Sequence, residues 1–144
     1  MHSFPKVRLI TVGKVKKPWI REGIQIYTKR VPELTINEIK DTGLDKESAK
    51  VRSMLGGRDR LIVMADEGQP WTSSQFAQWL AQAESGSLVF FIGGAEGISA
   101  DLKQYAEKRV SLSPMTFPHE MAQLMLVEQL YRAKTILQNR DYHK

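Results

Sequence analysis

A chain of 144 residues with 42% hydrophobic and 26% charged residues has the composition of a globular protein with one core, a single domain over 1–144, which excludes disordered and fibrous classes. No apolar run approaches the ~20 residues of a membrane span, and Lys6 and Arg8 ahead of the short run Leu9-Ile10-Thr11-Val12 make no signal-peptide core, so a cytoplasmic protein is expected. Without cysteine there are no disulfides or thiolate sites, and His2, His119 and His143 lack metal-ligand spacing, so no metal is expected; the net charge is +5.

In chain order, Val7 to Val12 reads as a strand, Pro18 to Lys29 as a helix with proline in its first turn, and Leu34 to Ile39 as a second strand. Asp45 to Leu55 reads as a helix, and Gly56-Gly57 as the turn into a third strand, Leu61 to Ala65. Ser73 to Ala83 follows as a helix capped by Ser73, then a strand from Leu88 to Ile92, a helix from Ser99 to Lys108 capped by Ser99, and a weak fifth strand from Val110 to Leu112. This alternation predicts an α/β fold, a mostly parallel sheet with helices on both faces.

The last helix, Glu120 to Leu137, carries Met121, Leu124, Met125, Leu126, Val127, Leu130, Tyr131, Ile136 and Leu137 on every side of its wheel. One sheet face does not absorb them all. Either the helix is buried centrally within one chain, or its second cover is the same helix of a second subunit, and the small size of the domain favours a symmetric homodimer.

Lys6, Arg8, Lys14, Lys16, Lys17, Arg21, Lys29 and Arg30 face only Glu22 in the first thirty residues, and Lys134, Arg140, His143 and Lys144 gather at the other end. Such charge serves either as a solvated surface or as a footprint for a phosphate backbone. Trp19 among these lysines is either a stacking surface for a base or a core residue beside Pro18.

Two loops follow strands and point to one site. Gly93-Gly94-Ala95-Glu96-Gly97 lacks the Lys-Ser/Thr ending of a P-loop and the spacing of a dinucleotide fingerprint, so by itself it is either a tight turn or a place where backbone approaches a ligand. In Leu112-Ser113-Pro114-Met115-Thr116-Phe117-Pro118-His119 the two prolines stiffen a loop whose backbone can bond a purine edge while Met115 and Phe117 pack on the ring. Ligands of open α/β sheets bind at such carboxyl-end loops.

Ile92-Gly93-Gly94-Ala95-Glu96-Gly97, Leu112 to His119, Glu128-Gln129-Leu130-Tyr131-Arg132-Ala133, the terminal Tyr142-His143-Lys144 and the early Val12-Gly13-Lys14 together resemble the ribosomal RNA large subunit methyltransferase H family of the SPOUT superfamily, over essentially the whole chain. The resemblance implies a methyltransferase that uses S-adenosyl-L-methionine to methylate N3 of a pseudouridine in 23S rRNA within the ribosome, a homodimer, and a C-terminal trefoil knot, a topology that general chain rules disfavour. It implies cofactor contacts at Met64, Gly93, Leu112, Ser113, Pro114, Met115, Thr116 and Phe117, and substrate or catalytic roles for His119, Arg132, Tyr142, His143 and Lys144. Gln123 stands where relatives often have arginine, and the segment from Asp41 to Lys50 looks shorter than theirs.

The implied reaction moves a methyl group from a sulfonium to an imide nitrogen, which is a poor nucleophile until its proton is removed or weakened. His143 suits the base, Arg132 or Lys144 the stabilisation of negative charge on the ring, and Tyr142 stacking on it or hydrogen bonding to it. By position alone the tail reads as a frayed terminus. A noncatalytic ribosome-binding or assembly factor and a tRNA methyltransferase on the same fold share the basic surface; the two intact loops speak against the first, and only the resemblance selects 23S rRNA.

Overall fold

Among the described residues ten elements alternate: β1 (Val7–Val12), α1 (Pro18–Arg30), β2 (Leu34–Ile39), α2 (Leu44–Ser53), β3 (Asp59–Pro70), α3 (Ser73–Ala81), β4 (Ser87–Ile92), α4 (Ala100–Tyr105), β5 (Lys108–Ser111) and α5 (His119–Leu137). The computed structural model describes residues 4–83 and 87–144, so the reading of His2 falls outside the described residues. All strand pairs are parallel, in the order β2-β1-β4-β3-β5.

The two-residue period of the strands divides their side chains between two cores. Val7, Leu9, Leu88, Phe90 and Ile62 pack with Ile20 and Ile24 of α1, Phe76 and Leu80 of α3, and Leu126 and Leu130 of α5. Ile10, Val12, Val89, Phe91 and Val63 pack on the opposite face with Val51 of α2 and Leu102 of α4. Burial on both faces is why β1 and β4 are nearly continuous apolar runs. Among the described residues no helix is long and apolar enough to cross a membrane.

Several boundaries differ from the sequence reading. β3 runs on to Pro70 because its register with β5 restarts: Met64 and Gln69 both pair with Val110, and the residues between them bulge out of the ladder. Gly68 closes this bulge, since a Cβ there would lie 2.7 Å from the Arg109 carbonyl carbon. α4 ends at Tyr105, where Ala106 turns extended and the Glu107 amide bonds to the Leu61 carbonyl, so β5 starts at Lys108 and stops at Ser111. The N-cap of α3 is Thr72, in a reciprocal capping box with Gln75; Ser73 is already helical.

α5 lies between α1 and α3 on the sheet, and Leu126, Val127 and Leu130 are core residues. Met121, Leu124, Met125, Tyr131, Ile136 and Leu137 are half-buried. Met121, Met125, Glu128 and Arg132, spaced four, three and four residues apart, share the face turned away from Leu126 and Leu130. On α1, Trp19 and Ile26 are 57% and 51% exposed and seven residues apart, hence on one face; Trp19 is not core.

Candidate cofactor cavity and C-terminal cluster

The carboxyl ends of β3, β4 and β5 and the first turn of α5 enclose a cavity of about 620 Å³. It is lined by Met64, Gly93, Leu112, Ser113, Met115, Thr116 and Phe117 from the predicted cofactor set, and by His119 from the predicted catalytic set. Pro114, exposed, is not part of the wall, and Pro118 takes a place in it. The β3 bulge supplies Ala65, Asp66 and Glu67, and α4 supplies Lys103, none of which the sequence reading selected. A bulge leaves no hydrophobic period, which is why these charged residues read as an ordinary loop.

The glycine loop is shaped by two requirements. Gly97 has φ +83°, a left-handed conformation that favours glycine. A Cβ at Gly93 would lie 2.3 Å from the Gly97 carbonyl oxygen, so the absent side chain lets the loop fold onto itself. A side chain at Gly93 therefore distorts the cavity wall, whatever it does to a ligand.

The second loop is fastened to the bulge. The Thr116 hydroxyl donates to Asp66 Oδ2 at 2.6 Å, the Ser111 hydroxyl donates to the Asp66 carbonyl at 3.0 Å, and the Met115 amide donates to Ser113 Oγ at 3.0 Å. The Thr116 hydroxyl bond holds the Asp66 carboxyl below the usual carboxylate range, so it is ionised near neutral pH. The cavity is of the size that small-molecule sites occupy, with apolar walls at Met64, Leu112, Met115 and Phe117 and small residues at the strand ends. These residues fit a purine nucleoside with a charged appendage, which is the chemistry of S-adenosylmethionine.

The last residues fold back onto α5. The Tyr142 hydroxyl donates to Glu128 Oε2 at 2.9 Å and lies 3.4 Å from the Tyr27 hydroxyl, and its ring meets Tyr131 edge-on at 4.7 Å. Burial and these two hydroxyl partners push the Tyr142 phenol well up, so it stays neutral. Arg132 donates to Glu128 Oε2 through Nη2 at 2.7 Å, and that bond raises its already high pKa. Arg132 Nη1 lies 3.0 Å from His143 Nδ1. A guanidinium only donates, so His143 Nδ1 accepts that bond through its lone pair and the ring N–H sits on Nε2.

The predicted site residues thus fall into two groups. Arg132, Tyr142 and His143 come together, with exposed Lys144 beside them in sequence, while His119 belongs to the cavity. Arg132 follows His119 by thirteen residues of one helix, about 20 Å along the axis, and Glu128, which holds Tyr142, follows it by nine, about 14 Å. Glu128, the acceptor that organises both Arg132 and Tyr142, carries no sequence signal of that role beyond its place in the motif Glu128 to Ala133.

The amino-terminal basic loop adjoins the cavity. Glu120, buried beside His119, accepts the amides of Lys16 at 3.1 Å and Lys17 at 3.2 Å, which fixes the loop carrying exposed Lys14, Lys16, Lys17 and Trp19 against the start of α5. Gln123 is buried in this region.

A five-stranded parallel sheet with a cavity at the strand ends defines an α/β protein of the class whose ligands bind at that edge. The family model described as "Predicted SPOUT methyltransferase" matches residues 6–143, and the chain belongs to that family of methyltransferases. It is 48% identical over 139 residues to the ribosomal RNA large subunit methyltransferase H of Synechococcus sp. (strain CC9902), covering 96% of each chain. The protein of the same name from Prochlorococcus marinus (strain NATL2A) is 45% identical over 144 residues, 100% of this chain and 99% of that one. A solved structure of a probable methylase family protein from Haemophilus influenzae Rd KW20 superposes with a TM-score of 0.64 over 99% of this chain and 72% of that one; at 10% identity the likeness concerns the fold.

Proposed function

We propose that the protein is an S-adenosylmethionine-dependent methyltransferase acting on N3 of a pseudouridine in 23S rRNA, working in the cytoplasm on the ribosome as a homodimer of single-domain chains. The observation that carries this reading is the cavity at the carboxyl ends of β3, β4 and β5, walled by the loops that carry the family's motifs. The names of the two relatives support the RNA target. The trefoil knot belongs to the same reading.

The separation of the two groups gives the dimer its purpose. Methyl transfer needs nitrogen, methyl carbon and sulfur in line at ~3–3.5 Å, so a tail anchored on Glu128 and Arg132, about 14–20 Å along α5 from His119, serves a different cavity. Two copies packed antiparallel along the outer face of α5 bring the Tyr142–His143 end of one chain to the His119 end of the other. Met121 and Met125, with Trp19 and Ile26 of α1, supply apolar surface for that contact.

When bound, the cofactor supplies an electrophilic methyl group on a sulfonium. His143 Nδ1, kept as a lone pair by Arg132, accepts the N3 proton once the guanidinium turns to the uracil carbonyl; Arg132 then offsets the charge left on the ring. Tyr142, held neutral between Glu128 and Tyr27, presents an aromatic edge to the base. Lys14, Lys16 and Lys17 offer salt-sensitive phosphate contacts at the cavity mouth, and Trp19 stands between that surface and the dimer contact.

Mixed dimers test this arrangement. A chain lacking residues 141–144 and a chain with Leu112→Arg in the cavity are each expected to be inactive as homodimers. Mixing them creates dimers with one intact composite site, and activity should return to a sizeable fraction of wild type. A mixture as inactive as its components would overturn the shared site.

A further inference from the structure

The cavity is chemically lopsided. Apart from His119, its charged side chains are Asp66, Glu67 and Lys103, all on the wall formed by the β3 bulge and α4; the rest of the lining is apolar or small. Lys103 Nζ donates to Glu67 Oε1 at 2.6 Å, and the Thr116 bond keeps Asp66 ionised and aimed along the same wall. We infer that this wall is a subsite for an α-amino acid zwitterion, with Lys103 receiving the carboxylate and Glu67, assisted by Asp66, receiving the ammonium group. The inference rests on the proposed cofactor and adds which end of it lies where.

Charge complementarity sets the orientation. A purine and its ribose carry no charge and match Met64, Leu112, Met115 and Phe117, whereas an ammonium and a carboxylate lose solvation unless each meets an opposite charge. Lys103 and Glu67 offer that pair with both groups partly exposed, at 25% and 49%, and an ion pair in such a setting is worth little. Opening it to admit a zwitterion exchanges one pair of charged bonds for two. A second cue is the position of Lys103 on α4: its carbonyl accepts from Arg109 Nε at 3.2 Å, so its backbone is moored to β5 while the ammonium head reaches the cavity. Thr116 then acts at both ends, lining the nucleoside side and fixing Asp66.

The test compares two ligands that share adenosine and an uncharged sulfur and differ in the amino acid: S-adenosylhomocysteine and methylthioadenosine, titrated calorimetrically into the metal-free protein. Wild type is expected to bind S-adenosylhomocysteine about tenfold or more tightly, the worth of roughly one charge-assisted hydrogen bond. Lys103→Met and Glu67→Gln should each remove most of that preference while leaving methylthioadenosine affinity within about twofold of wild type. Both variants lie on the surface rim, and an unchanged melting temperature verifies their fold. If the preference survives both substitutions, the zwitterion lies elsewhere and the inference fails. If wild type binds neither ligand, the proposed cofactor is wrong.

Discussion

At the scale of single residues, Asp59 shows how polar groups at the amino ends of the strands support the sheet. Its carboxylate accepts from Arg8 Nη2 at 2.8 Å, from the Gly56 amide at 2.6 Å and from the Ser87 hydroxyl, linking β1, β3 and β4 at the end away from the cavity. Burial pulls its pKa up, but the Ser87, Gly56 and Arg8 bonds outweigh it and the net shift is downward. A carboxyl whose folded pKa is depressed contributes stability that is present above its unfolded value of about 3.9 and lost as pH falls through the folded value. Asp59→Asn should therefore lower stability at pH 7, by about 1–2 kcal/mol, and flatten the acid limb of a melting-temperature profile; equal loss at pH 2 and pH 7 would contradict the assignment. In the tail, His143→Ala should slow single-turnover methylation by about 10²–10⁴-fold with cofactor affinity unchanged, as expected for a base. A loss of only a few fold would reduce His143 to a positioning role. His143 and Tyr142 were legible as titratable residues at an odd address, but their bonds to Arg132 and Glu128 were not, because they depend on the chain turning back after Asn139, whose φ is +55°.

At the scale of elements, the strands and long helices were readable because their periods are long and strong: Val7–Val12 and Leu34–Ile39 begin and end where the β-branched runs do, and His119–Leu137 starts one residue before the expected Glu120. What periodicity does not encode is the restart of register in β3, since Ala65, Asp66, Glu67 and Gly68 alternate in no useful way and their place is set by β5, over forty residues later. The two faces of α5 are likewise separable only once its neighbours are known. Leu126, 1% exposed, is core, so Leu126→Glu should unfold the chain and says nothing about assembly. Met125, half-buried on the outer face, is the informative position. Met125→Glu should leave the circular dichroism spectrum and monomer fold intact while raising the dimer dissociation constant by at least about tenfold in sedimentation, a cost near 1.4 kcal/mol. A variant that stays as dimeric as wild type would move the interface off this face.

At the scale of the whole molecule, the cavity lies at the amino-terminal end of α5 and the Arg132–Tyr142–His143 cluster toward its carboxyl end, and the proposed dimer would join the two across a two-fold axis. Deleting residues 141–144 removes little core, so such a protein should stay folded, dimeric and able to bind S-adenosylmethionine while losing methyl transfer. The most direct measurement incubates purified protein with S-adenosylmethionine bearing a labelled methyl group and with ribosomes lacking the modification, then digests the 23S rRNA and identifies the labelled nucleoside by mass spectrometry. The expected product is 3-methylpseudouridine, close to one per 23S rRNA with the wild-type dimer and absent with the truncated one. Label on tRNA, on another nucleoside, or on nothing at all with the wild-type protein would contradict the proposed reaction.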